Sequence, residues 1–477
     1  MNTDITHRVL RRKVLADTLT PVAIYQRLGN APYSYLLESV EGGERWARFS
    51  VVGLPADEWI QVKNGEIVHQ RDGVEISRHS GDPFAFLEAF HAQRHVADIP
   101  EDLPFSGGLV GYFAYDCIGY IEKRLAKRPT NDVLQLPDML FCVSDAVVVM
   151  DNLRGEANLL AIADCRKAEG IAQAEAKLDA MQAALFAPFA SAPLALGEAK
   201  AERFRPQYEM GEDGYKAVVN KIKDYVAAGD VMQVVPSQRL HIDFDRPALD
   251  LYRALRITNP SPYMYVLNMG DHEIVGSSPE ILARVENRKV TVRPIAGTRK
   301  RGQTIEEDLA LEADLLADEK ELAEHTMLID LGRNDIGRVC KTGSVKVTEK
   351  MGIERYSHVM HIVSNVEGEL ADNAGALDVF KATFPAGTLS GASKVRAMEI
   401  IDEVELSRRG IYGGAIGYWA WKGNMDLAIA IRTGLIKNGK LYAQAGAGVV
   451  YDSNPDSEWQ ETLNKLGALI KAASMLM

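Results

Sequence analysis

Cysteine is scarce. The 477 residues hold four, Cys117, Cys142, Cys165 and Cys340, with no CxxC pair among them. Thiols scattered in this way exclude a disulfide framework and offer no zinc spacing. They fit a reducing compartment. No run approaches the ~20 apolar residues that a membrane span needs. Arg11, Arg12 and Lys13 are not followed by the apolar core of a signal peptide. The expectation is a soluble, cytoplasmic protein with no membrane partner. Positive charge is in deficit, 54 Lys and Arg against 66 Asp and Glu, a net charge of −12. That excludes nucleic acid or an anionic lipid surface as the main partner. An anionic small substrate would need a local cluster of cations. No GxSxG elbow is present, and no cysteine sits in a nucleophile-like turn.

Three motif look-alikes fail on chemistry. Gly434 to Leu441 has the glycine and lysine of a phosphate loop, but Leu stands where a magnesium-binding Ser or Thr is required. Gly446-Ala-Gly448 leads into Val-Val-Tyr and Pro455, not into the helix of a dinucleotide loop. A glycine pair here suits backbone N–H groups that approach an anion. Glu321-Leu-Ala-Glu-His325 puts Glu where an inverted zinc-protease motif needs its first His.

Hydrophobic residues are plentiful, at 47%, enough for a large core and against disorder. The length allows two large lobes or three domains. Ile60 to Val68 reads as strand, Asn-Gly turn, strand, and Thr433 to Gln444 repeats that pattern. Phe105 to Tyr115 is a glycine-rich strand in a tight place. Met139 to Met150 reads as one apolar strand, Gln233 to Arg239 as another, and Glu273 to Val292 as two strands around Asn287-Arg288. Helices are expected over 166–186, 215–228 and most of 304–331. The Pro/Ala/Ser-rich stretch after Phe186 reads as a linker. The division is a first lobe at 1–186, a linker at 187–204 and a second lobe at 205–477. Strands joined by hairpins, with helices in separate runs, predict an α+β fold. Its largely antiparallel sheets would pack as a sandwich in two lobes with helices outside, unlike a doubly wound parallel sheet.

The acidic stretch from Asp318 to Asp335 carries Glu321 and Glu324, which share one helix face. Glu458 and Glu461 repeat the spacing at a constant 137 residues. Like charges on one face repel unless a cation joins them. Brought together, the two pairs would make an oxygen-rich cage for a hard cation such as Mg2+. The plain alternative is two solvated acidic faces.

A series of ordered segments then resembles a known family. It runs through Ala228-Gly-Asp-Val-Met-Gln-Val-Val235, Gly276-Ser-Ser-Pro-Glu280, Arg293-Pro-Ile-Ala-Gly-Thr298 and the acidic stretch. It continues through Ser357-His-Val-Met-His361, Phe384 to Ala392, Tyr412 to Tyr418, Ala428-Ile-Ala-Ile-Arg432 and Gln444 to Gly448. Each is weak alone, but their joint order is specific. The chain resembles the chorismate-utilising enzymes, most closely the anthranilate synthase component I group of large aminase subunits. The resemblance implies amination of chorismate at C2 with loss of the 4-hydroxyl, then elimination of pyruvate to leave anthranilate. This is the first committed step of tryptophan biosynthesis. It implies Glu280 as general acid, Thr388 near the leaving oxygen and His361 near pyruvate elimination, with His358 structural or exposed. Arg432 and Lys465 would grip a carboxylate. Gly297, Thr298, Tyr412, Gly446, Ala447 and Gly448 would contact the substrate. Mg2+ would hold the ring carboxylate through Glu324 and Glu461, with Glu321 and Glu458 in the next shell or through water. Without the resemblance, Glu280 reads as a surface strand carboxylate, His361 as a core histidine, and the two cations as salt-bridge partners.

Two positions separate sister activities. Isochorismate and salicylate synthases carry a water-activating lysine where this chain has Gln233. Aminodeoxychorismate synthases typically carry a nucleophilic lysine where it has Ala296, which has no amine to attack with. Leu36-Leu37-Glu38-Ser39 and Asn259 to Met264 resemble the family's tryptophan feedback motif, with Glu38, Ser39, Pro262, Tyr263 and Met264 lining an apolar slot. Their plain reading is an ordinary strand and turn in the core. Ser393 stands where relatives often have Pro. No glutaminase cysteine elbow occurs, so ammonia is expected from a separate glutamine amidotransferase subunit in a hetero-oligomer, and the resemblance implies a two-plus-two assembly. An aminodeoxyisochorismate synthase, which stops before pyruvate loss, and a catalytically silent tryptophan-binding module are the competing readings.

Overall fold

The computed structural model describes residues 5–40, 48–127, 129–190, 193–198, 205–356 and 359–476. Two twelve-stranded sheets dominate. Among the described residues every strand pairing is antiparallel except that of His7–Leu15 with Val96–Ala97. Both sheets draw strands from either side of the 187–204 segment. In the first, Ser34–Glu38 pairs with Tyr263–Asn268. In the second, Gly108–Phe113 pairs with Ala415–Ala420. The architecture is the expected α+β sandwich.

Three apolar layers hold it. Val110, Tyr112 and Leu140 of the second sheet meet Val149, Leu160 and Tyr265 of the first in the sandwich interior. Helices Pro21–Leu28, Gly170–Phe186, Ala248–Thr258 and Pro455–Ser474 cover the outer side of the first sheet. Helices Pro83–Ala92, Glu319–Gly337 and Ala376–Thr383 cover that of the second. Here the Phe380 ring stacks on Phe113 at 3.9 Å and meets Phe84 and Phe384 at 5.8 and 4.7 Å.

The short turns follow the sequence. Asn64 and Gly65 have φ of 50° and 82°, Asn438 and Gly439 of 52° and 71°. Positive φ at both central residues is what a tight hairpin requires. The phosphate-loop look-alike therefore lies in a hairpin. Gly111 explains the tight strand at 108–113, because a Cβ there would lie 1.9 Å from the Leu140 carbonyl oxygen.

Three expected strands are corrected. The 139–150 run is two strands, Met139–Ser144 in the second sheet and Ala146–Asp151 in the first. Both are buried throughout, so no alternation marked the break. The 233–239 run divides at Pro236 into Gln233–Val234 and Ser237–Asp243. The 273–292 run holds three strands, not two. Glu273–Ser278 belongs to the first sheet, Ile281–Glu286 and Lys289–Val292 to the second. Pro279 has no N–H for a ladder, and the chain changes sheets there. Truncating Phe380 to Ala should cost about 3–5 kcal/mol by emptying a packed aromatic site, measured as a loss of stability in urea unfolding.

Candidate active site

The sheet change at Pro279 puts Glu280 in a buried cleft. Its backbone is pinned, since the Ile429 N–H donates to the Glu280 carbonyl at 2.9 Å. Its side chain accepts from the Thr388 hydroxyl at 2.9 Å. Thr388 belongs to the short helix Gly387–Ser390. Burial pushes the Glu280 carboxyl up to about 7, against the opposing pull of the Thr388 hydrogen bond and the Arg432 and Lys465 charges. A carboxyl poised near neutrality can donate a proton to a leaving oxygen.

Arg432 lies just after the strand Met425–Ile429, with φ of 51°. Burial pulls its pKa down, and the Glu280 charge opposes that. Lys465, on helix Pro455–Ser474, donates to the Gly446 carbonyl at 2.8 Å and lies 2.7 Å from Glu461. Two cations thus face one acid, an arrangement suited to an anionic ligand.

His361 lies on strand Val359–Glu369. Its Nδ1 is 3.0 Å from the Gly297 carbonyl and 3.1 Å from the Thr298 hydroxyl. A carbonyl only accepts, so Nδ1 carries the proton and Nε2 keeps its lone pair. Burial lowers the histidine's pKa and keeps it neutral. Gly297 has φ of 65°, and a Cβ there would meet Glu321 Oε2 at 3.3 Å.

The two glutamate pairs occupy the first two turns of helices Glu319–Gly337 and Pro455–Ser474, with Glu321 and Glu458 in the first turn. Asp318 caps helix Glu319–Gly337 by accepting from the Lys320 and Glu321 N–H groups, and Asn454 caps helix Pro455–Ser474 in the same way. Glu324 and Glu461 line a cavity of about 180 Å³. Gln233 reaches Glu324 in a long contact of 3.5 Å. Glu321 and Glu458 lie off the lining. Burial raises the pKa of both, with Glu324 adding to the rise at Glu321 and Glu461 to that at Glu458. Among the described residues no three carboxylates, histidines or cysteines form a metal-binding group. Two cavity-facing carboxylates are an incomplete ligand set, of the kind that a hard cation such as Mg2+ would complete with water and substrate oxygens.

The same cavity is lined by Gln233, Ala296, Glu280, Thr298, His361, Thr388, Tyr412, Arg432, Gly446, Gly448 and Lys465. Gly297 stands behind it. Ala447 does not line it, and its N–H is directed to the Pro236 carbonyl and the Tyr215 hydroxyl, both at 3.3 Å. His358 lies outside the described residues.

Sequence reasoning missed Arg409. It is fully buried, paired with Glu405 at 2.6 Å, and donates to the Leu389 and Val235 carbonyls at 2.7 Å each. Its guanidinium stacks over Tyr115 and Tyr412 at 4.6 and 5.4 Å. One cation thereby ties together Val235, Leu389 and Tyr412, all on the cavity wall. Glu405, four residues before Arg409, is the one spacing signal, but that the pair is buried is not legible without the Val235 and Leu389 carbonyls. Gln444 and Leu328 also line the cavity unforeseen.

A second cavity, about 410 Å³, gathers Glu38, Ser39, Pro262, Tyr263 and Met264. The register places Met264 opposite Glu38. The Tyr252 hydroxyl donates to buried Glu38. Tyr263 donates to Asp426 at 2.9 Å, and Arg284 pairs with Asp426 at 2.7 Å. Arg284 shares strand Ile281–Glu286 with the segment that starts beside Glu280. The strand therefore starts at the residue after Glu280 and ends in the wall of the second cavity.

A family model described as chorismate binding enzyme matches residues 35–471. The chain belongs to the chorismate binding enzyme family. Within it, the chain is 54% identical to anthranilate synthase component 1 of Pseudomonas putida, over 97% of its own length and 94% of the relative's. The fold superposes on anthranilate synthase component I from Streptococcus pneumoniae with a TM-score of 0.79 at 38% identity, covering 96% of this chain and 99% of the other. The menaquinone-specific isochorismate synthase of Escherichia coli shares the fold at a TM-score of 0.73 and 18% identity, covering 99% and 95%.

Glu280 carries a testable signature. Its folded pKa of about 7 exceeds the ordinary 4.5, so the folded chain binds more protons than the unfolded chain between those values. The associated stability is full below the lower value and is lost as pH rises through the upper. Glu280→Gln should flatten that window in denaturant titrations at pH 4.5–8. It should also remove a protonated-carboxyl infrared band that fades near pH 7 in the wild type.

Proposed function

We propose that the chain converts chorismate and ammonia to anthranilate and pyruvate, as the aminase component of an anthranilate synthase. The observation that carries this reading is Glu280, a carboxyl poised near neutrality in the same cavity as Arg432, Lys465 and His361. Chorismate is a dicarboxylate, and Arg432 is built to hold a carboxylate by two parallel hydrogen bonds while Lys465 adds a point charge. Glu280, oriented by Thr388, gives its proton to the C4 oxygen as that bond breaks, and ammonia adds at C2. Gln233 cannot serve as a base, which suits a nucleophile that brings its own lone pair. Ala296 offers no amine. The C2 proton is then removed as pyruvate leaves, and the Nε2 lone pair of neutral His361 suits that step. Tyr412, Thr298 and the backbone at Gly446 and Gly448 frame the ring. Mg2+, when bound by Glu324 and Glu461, supplies positive charge for the ring carboxylate. Glu321 and Glu458 support those ligands from behind.

Ammonia comes from a separate glutamine amidotransferase subunit, and tryptophan acts as feedback inhibitor at the cavity of Glu38, Ser39, Pro262, Tyr263 and Met264. Leu37, Phe49 and Met425 give that cavity apolar wall, as an indole requires. Inhibition biases two arrangements of the Ile281–Glu286 strand. The protein acts in the cytoplasm, in tryptophan biosynthesis.

Purified chain with chorismate, ammonium and Mg2+ should produce anthranilate fluorescence, and activity at a fixed concentration of free NH3 should fall off above about pH 7 as Glu280 ionises. Omitting Mg2+ or substituting Glu461→Gln should reduce turnover by about 100-fold or more. A non-aromatic amino product would instead identify an aminodeoxyisochorismate synthase, and no turnover with intact tryptophan binding would identify a regulatory module. Tryptophan should bind in calorimetry and inhibit. Ser39→Phe, which fills the slot, should abolish both effects and leave uninhibited turnover within about three-fold of wild type. Undiminished inhibition in that variant would reject the site.

A further inference from the structure

Glu280 is a wall between two cavities. The larger is the proposed chorismate site. The smaller, about 60 Å³, lies on the other side and shares Glu280, Leu328 and Thr388 with the first. Its walls are mostly apolar, with Leu282, Val292, Leu331 and Ile429 among them, but Asp335 and Thr383 face it as well. Asp335 is the last residue of the acidic stretch that begins at Asp318, and the reaction described above gives it no task. Its side chain is 15% exposed; its carboxylate pairs with Lys394 at 2.9 Å, and Lys394 also reaches the Thr383 carbonyl at 3.4 Å. Burial raises the Asp335 carboxyl above its usual range, opposed by Lys394 and Arg338. Arg293, at the same cavity, is engaged by Glu354. On the substrate side the charges facing Glu280 are Arg432 and Lys465.

A cavity of this size has room for a short file of waters between polar partners. Such a file matters because Glu280 must be recharged. When the C4–O bond breaks, its proton leaves with the oxygen as water, and Glu280 becomes a carboxylate. Addition of ammonia at C2 leaves an extra proton on nitrogen, which passes to solvent. One proton is therefore released and one must return to Glu280, with no net change. Bound substrate occupies the larger cavity, so the return path on that side is closed.

We propose that the small cavity between Glu280 and Asp335 is a proton port, through which Asp335 and ordered water return a proton to Glu280 in each turnover. This rests on the anthranilate synthase reading. Asp335 is a relay residue that does not touch substrate, so its loss should spare substrate binding and the first chemical event.

The test compares wild type with Asp335→Asn and with Ala386→Leu, which fills the small cavity without changing a charge, each checked for folding by circular dichroism. Rapid-quench assays at pH 6.5 use chorismate, ammonium and Mg2+. In both variants the first turnover should match wild type, while steady-state kcat should fall about ten-fold or more with kcat/KM for chorismate unchanged. Added imidazole buffer should restore steady-state turnover in Asp335→Asn and leave wild type unaffected. Unchanged steady-state turnover in a folded variant, or equal loss in the first and later turnovers, would overturn the port while leaving the anthranilate synthase reading in place. A wild type that is inactive with chorismate and ammonia would overturn both.

Discussion

The burial of Glu280 is the constraint around which the site is arranged. A carboxyl taken from water resists ionisation, and here two cations and a threonine hydroxyl pull the other way. The balance falls near neutral pH. Neither pull alone would give a useful acid. Burial without Arg432 and Lys465 would leave a permanently neutral group, and the cations without burial would leave a permanent carboxylate. The fold sets both by making the chain change sheets at Pro279, where Glu280 must lie between packed layers.

The cost of such a site is met by the scaffold. A buried arginine is unfavourable unless its hydrogen bonds are all used. Arg409 uses them on Glu405 and on the carbonyls of Val235 and Leu389, and its stacking on Tyr412 orients a wall of the cavity. His361 is treated differently. It is kept neutral by burial and held by the Gly297 carbonyl, so that one nitrogen stays available. Burial favours the neutral form of both groups, which leaves a carboxyl that can lose a proton and an imidazole that can gain one.

The two cavities share a mechanical element. Strand Ile281–Glu286 carries Arg284 into the larger one and begins beside Glu280 at the other. It pairs with Met425–Ile429, which bears Asp426 at one end and holds the Glu280 carbonyl through Ile429 at the other. A ligand that repositions the Arg284–Asp426–Tyr263 group would act on Glu280 through two paired strands, a rigid connection that needs no movement of whole lobes.

Local chemistry settles some features by the sequence alone. Asn-Gly places both hairpins, because few other pairs tolerate two positive φ angles in succession. The spacing of Glu321 and Glu324, and of Glu458 and Glu461, sets each pair on one helix face. The ordered motifs reveal the family, since their residues recur in fixed order. The tertiary structure alone decides the rest. Uniformly buried runs such as 139–150 carry no alternation, so their breaks and their division between sheets depend on what packs on either side. Which glutamate of each pair faces the cavity depends on how two helices far apart in sequence are rotated against the sheets. Arg409 has no pattern in the chain beyond Glu405 four residues before it, because its other two partners, the Val235 and Leu389 carbonyls, come from more distant segments. The acidity of Glu280 likewise comes from a dielectric environment and two charges that only the folded chain brings together.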